Sequence, residues 1–106
     1  MRSKDRFTKS EWTRLRTLAG LAYERELEEA LGEVMAGVDG VRAGSLNVFD
    51  LNERIHEFHN GAARELWKFY NHLEAPLIVA SALDRGYLKP AEVPTALREK
   101  LPSGAL

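Results

Sequence analysis

The sequence predicts an all-α fold, a helical hairpin or bundle of two long antiparallel helices with two short C-terminal helices. Three observations carry this. Two long stretches repeat apolar residues at three- and four-residue intervals, the period of a helix with one face in a core. Each stretch has a residue suited to capping at its start. The one strand-like run, Leu77 to Val79, has no second strand candidate to pair with.

The first helix is predicted from Thr8 to about Met35. Thr8 and Glu11 have the spacing of a capping box, and Phe7 and Trp12 stand at the two positions of a hydrophobic staple. Its apolar positions include Trp12, Leu15, Leu18, Ala19, Ala22, Tyr23, Leu27, Leu31 and Val34. On a helical wheel this stripe rotates by roughly 80–100° between the two halves. Gly20 lies where the drift begins, so either the helix bends there or its halves face different partners. Charge is also segregated. Met1 to Arg16 holds six basic residues against two acidic, and Glu24 to Glu33 holds five glutamates against one arginine.

Ala36 to Val48 contains Gly37, Gly40 and Gly44 with Asp39, Ser45 and Asn47, and reads as a loop of about ten residues that lets the second helix fold back. No phosphate-loop spacing is present in it. The central helix is predicted from an Asp50 cap, with Glu53 completing a capping box, to Leu73. Leu51, Ile55, Phe58, Ala62, Leu66, Phe69 and Leu73 follow one another at steps of 4, 3, 4, 4, 3 and 4, a single narrow stripe. Because that stripe keeps its phase across Asn60-Gly61, the helix is expected to continue there with a kink.

Pro76 suits a first helical turn, so a short buried helix is predicted from Pro76 to Arg85. Gly86 is placed to end it in a left-handed residue, with Tyr87 folding back on Ala82. A turn over Lys89 to Pro94 leads to a last helix from Pro94 to Leu101, whose apolar edge is Leu97 and Leu101.

The 106 residues read as a single helical domain, with 1–7 and 102–106 as fraying tails. At 44% hydrophobic and 29% charged, the chain belongs with globular rather than disordered sequences. With a net charge of -1, a dedicated nucleic-acid binder is not favoured. With no cysteine, thiol catalysis and disulfide scaffolds are excluded. No apolar run reaches the ~18 residues of a membrane span, and a cytoplasmic location is expected.

Four groups of residues invite a functional reading. Asn52, His56, His59, Asn60, Ala63, Trp67 and Tyr70 form a polar-aromatic stripe beside the apolar one, the composition of an interaction surface. Arg2, Lys4, Arg6, Lys9, Arg14 and Arg16, interleaved with Phe7 and Trp12, form a basic arm that would contact phosphate or an acidic partner. Glu53, His56 and His59 are spaced by three and could share a metal ion. The Glu53-x-x-His56 pair resembles half of the ligand set of di-iron carboxylate bundles, yet only one such pair exists in the chain. Ser45 and Ser81 lie in no nucleophile-elbow pattern, so no catalytic residue is assigned and no cofactor is expected. The expected function is that of a small protein–protein interaction or regulatory module acting as a homodimer. Nucleic-acid association through the basic arm and metal binding through the histidines are the alternatives.

Overall fold

The computed structural model describes residues 6–102. The elements in chain order are α1 (Lys9–Ala30), α2 (Gly32–Ala43), α3 (Val48–Phe58), a π turn (His59–Ala63), α4 (Arg64–His72), α5 (Ala75–Arg85), a 3-10 turn (Pro90–Glu92) and α6 (Thr95–Lys100). No strand occurs among the described residues. Two long helical stretches of 35 and 25 residues dominate, residues 9–43 and 48–72, with the shorter helices following. Where the sequence reads as one domain, the contacts group the chain into two compact units. One comprises the described residues up to Arg25 and from Tyr70 onward; the other is Glu26–Phe69.

In the first unit, Phe7, Leu15, Leu18, Ala19, Ala22, Ile78, Val79, Ala82, Leu88, Val93 and Leu97 are buried. The capping box forms as its spacing predicts: the Thr8 amide donates to Glu11 Oε1 at 2.8 Å, and the Glu11 amide donates to Thr8 Oγ1 at 3.1 Å. Phe7 and Trp12 meet edge to face with ring centroids 5.6 Å apart. Phe7 was expected in a fraying tail, but its ring is buried, because the staple makes it part of the helix start. The calls on residues 1–5 and 103–106 lie outside the described residues.

Ion pairs tie distant segments of this unit together. Arg25 grips Glu92 with two hydrogen bonds, of 2.8 and 2.6 Å, and donates a third of 2.9 Å to the Tyr87 carbonyl. Such a fork-to-carboxylate arrangement is the geometry in which an ion pair contributes most. Lys100 Nζ reaches both oxygens of Glu11, at 2.9 and 3.1 Å, so the last helix is fastened to the start of α1. Gly86 ends α5 with φ 85°, and the Tyr87 amide donates back to the Ala82 carbonyl at 2.9 Å, the predicted terminator.

The second unit departs from the sequence reading. Ala36 to Val48 is not a loop of ten residues. Helix continues through it to Ala43, and only residues 44–47 form the turn. Two of the three glycines that suggested a loop are close-packing positions instead. A Cβ added at Gly37 would stand 2.9 Å from Leu51 Cδ1 and 3.2 Å from Arg54 Cδ, and one at Gly40 would stand 3.0 Å from Leu46 Cβ. The bare backbone there lets α3 and the turn before it lie close against α2. Only Gly44, with φ 78°, takes the left-handed conformation that ends a helix. α3 then begins a turn earlier than Asp50. Its cap is Asn47, whose side-chain oxygen accepts from the Asp50 amide at 2.8 Å. Asp50 sits in the first turn, where its charge suits the helix dipole.

α1 runs through Gly20 without interruption, and the only irregularity before Ala43 is at Leu31. The helix does not break at Gly20, and its residues are divided between the units further on: Lys9–Arg25 belongs to the first and Glu26–Ala30 to the second.

Candidate interaction surface

The central helix is continuous through Asn60-Gly61, as expected, and the irregularity there is a π turn. A π turn closes its hydrogen bonds one residue further along than an α turn, so it holds one residue more. Burial follows that extra residue. Leu51, Arg54, Phe58, Gly61, Leu66, Phe69 and Leu73 are buried or half-buried, at steps of 3, 4, 3, 5, 3 and 4. The five-residue step spans the turn, with Ala63, also half-buried, inside it. The predicted stripe therefore needs correcting at two positions: Ile55 and Ala62 are exposed, and Arg54 and Gly61 take the inward places. Arg54 manages this by laying its aliphatic stem on Gly37 while Nη1 donates to the Glu33 carbonyl at 3.2 Å.

The same turn organises the outer face. In an α-helix each four-residue step gains about 40°, so three such steps spread over roughly 120°. Ile55, His59, Ala63 and Trp67 are four apart, and the π turn lies between the second and third of them. Its smaller rotation per residue takes back most of the drift. The four side chains therefore share one lane, roughly 18 Å long at 1.5 Å per residue. Val48, seven residues before Ile55, extends the lane toward the helix start.

This unit carries every large apolar side chain that stands exposed among the described residues. They are Phe49 at 81%, Met35 at 62%, Val48 at 59%, Trp67 at 55% and Ile55 at 45% exposure. Clustered exposure of this kind marks interaction sites more often than isolated apolar residues do. Val48 and Phe49 were assigned to the loop and its edge; recognising Asn47 as the cap would have placed both on the first turn of α3.

The sequence-predicted stripe is partly reassembled. Asn52, His56, His59, Asn60 and Trp67 are exposed and Ala63 is half-buried. Tyr70 is drawn away from it. Its ring stacks on Tyr23 in the first unit, with centroids 4.5 Å apart and planes 5° apart, and its hydroxyl accepts from Arg85 at 3.4 Å. Glu53, His56 and His59 are all exposed, and no three His, Asp or Glu side chains converge to hold a metal ion among the described residues. The predicted metal ligands thus fan around the helix without meeting.

Of the basic arm, Arg2 and Lys4 lie outside the described residues. Arg6, Lys9, Arg14 and Arg16 are exposed, and none of them holds an ion pair among the described residues. The central helix has its own charge asymmetry. Asp50, Glu53 and Glu57 outnumber Arg54 before the π turn, and Arg64 and Lys68 outnumber Glu65 after it. No described helix is long and apolar enough to cross a membrane. Comparison with protein-family models, with curated proteins and with solved structures returns no match.

Proposed function

We propose that this chain is a helical protein–protein interaction module that self-associates through the outer face of its central helix. The observation that carries the reading is the lane Val48, Ile55, His59, Ala63 and Trp67, in which three of the five exposed large apolar residues line up beside polar ones. Aromatic and aliphatic anchors with a polar rim are the composition of a binding face. The charge asymmetry of the helix supports a second copy as the partner. Two such helices laid antiparallel place the acidic half of each against the basic half of the other, an isologous contact of the kind closed dimers use.

Sedimentation velocity over a hundredfold range of protein concentration tests this. Wild type is expected to shift from monomer to dimer. Ile55→Glu, an exposed substitution that leaves helix content unchanged by circular dichroism, is expected to weaken the dimer at least tenfold. A wild-type chain that sediments as a monomer at every concentration overturns the proposal.

A further inference from the structure

A second surface, in the other unit and independent of the self-association just proposed, has the make-up of a ligand site. A cleft of about 370 Å³ is walled by Trp12, Tyr23, Tyr70 and Leu73, with Arg16 and Gly20 on its α1 side. A shallower hollow lined by Phe7 and Lys9 shares Trp12 and Arg16 with it. The cleft volume lies within the range of small-molecule sites.

Gly20 is the informative residue. A glycine inside a helix is unfavourable, and it persists where something needs close approach to the backbone. At Gly37 that something is Leu51 of the same chain. At Gly20 no atom lies within 4 Å of where a Cβ would stand. The space above Gly20 is open, it belongs to the cleft, and aromatic rings surround it. Gly32 and Gly61 are equally open, but of the three only Gly20 lines this cleft.

The charges define what would enter. Arg16 and Lys9 are exposed and hold no ion pair among the described residues. A guanidinium presents a planar fork that matches a carboxylate. Glu74 also lines the cleft, so a singly charged group is better tolerated there than a doubly charged one. We infer that this cleft binds a flat aromatic carboxylate, its ring between Trp12 and the Tyr23–Tyr70 stack over Gly20 and its carboxylate on Arg16, with Lys9 adding attraction.

Calorimetric titration of the full chain with indole-3-acetate tests the inference, with uncharged indole-3-acetamide and dianionic phenyl phosphate as comparisons. Saturable one-to-one binding of the acetate is expected, at least tenfold tighter than either comparison. Arg16→Gln should bring the acetate down to the level of the acetamide. Gly20→Leu separates the site from the fold: leucine is a better helix former and its side chain enters open space, so the melting temperature should hold or rise while binding is lost. No saturable binding to wild type, equal binding of acetate and acetamide, or undiminished binding to Gly20→Leu would each overturn the inference.

Discussion

If the π turn is one residue accommodated in an otherwise regular helix, removing that residue should be tolerated. Deleting Gly61 moves Ala62 into its inward place, three residues after Phe58 and four before Leu66, and closes the turn as ordinary α-helix. Phe58 and Leu66 then stand seven apart, still on one face. A deletion inside a regular helix behaves differently, because it rotates everything downstream by about 100°. Deleting Thr17 would turn Leu18, Ala19 and Ala22 out of register with Leu15, all four of which are buried. Re-exposing a leucine costs about 2 kcal/mol, with smaller amounts for each alanine, and native stability is about 5–15 kcal/mol in all. The substitution Gly61→Ala isolates the glycine itself. A Cβ at Gly61 meets nothing within 4 Å and its φ is not positive, so alanine should add up to about 1 kcal/mol. For a chain of this size that is a rise of about 4–8 °C in melting temperature. Gly44→Ala is the opposite control: at φ 78° alanine is strained by about 1–2 kcal/mol. Thermal melts followed by circular dichroism compare the four variants. The reasoning fails if the Gly61 deletion melts as far below wild type as the Thr17 deletion does, or if Gly61→Ala lowers the melting temperature.

Two further predictions concern the first unit. The Arg25 guanidinium, and then the Lys89 amide, hold the Glu92 carboxyl down to about 2 from 4.5. A carboxyl with a depressed pKa in the fold contributes its full stability above the unfolded value and loses it as pH falls. Urea midpoints of wild type should therefore drop more steeply than those of Glu92→Gln between pH 4.5 and about 2. Parallel curves through that window would show that the pair contributes nothing. Phe7 supplies the second: its ring is buried, lies edge-on to Trp12 at 5.6 Å and has Lys100 Nζ 6.0 Å from its centroid. Phe7→Ala is expected to cost about 3 kcal/mol in urea denaturation, and a loss below 0.5 kcal/mol would mean that the residue is a tail after all.

What the sequence made legible was what depends on neighbours three or four residues away. The Thr8–Glu11 capping box, the Phe7–Trp12 staple, the Pro76 start of α5 and the Gly86 terminator each rest on such local contacts, and each is present. Illegible were the features decided by contacts across the fold. Gly37 and Gly40 count against helix by propensity, about 1 kcal/mol each, and only the approach of Leu51, Arg54 and Leu46 explains why helix persists. Asp50 was read as the cap, but Asn47, read as part of the loop, caps the helix and carries Val48 and Phe49 onto it. The histidines attracted a metal reading because residue type was visible and side-chain convergence was not.

The π turn joins the fold to the proposed surface. A regular α-helix cannot keep an inward stripe at steps of 3 and 4 and, over the same residues, an outward lane at steps of 4, because the second gains about 40° per step on the helix axis. One additional residue between Phe58 and Leu66 resolves the conflict. It delays the downstream inward face by one position, so that Leu66 rather than Glu65 is buried, and it returns Ala63 and Trp67 to the azimuth of Ile55 and His59. The Gly61 deletion therefore bears on function as well as stability. It should leave a folded chain whose lane is intact: Leu66 keeps the face of Phe58, so Trp67, the next residue, stays within roughly 20° of the Ile55 azimuth. If the lane is the self-association face, that well-folded variant dimerises about as well as wild type, whereas Ile55→Glu does not. If it stays folded yet loses the dimer, the lane is not what holds the two copies together, and the interface must be sought around the other exposed apolar residues, Met35 and Phe49.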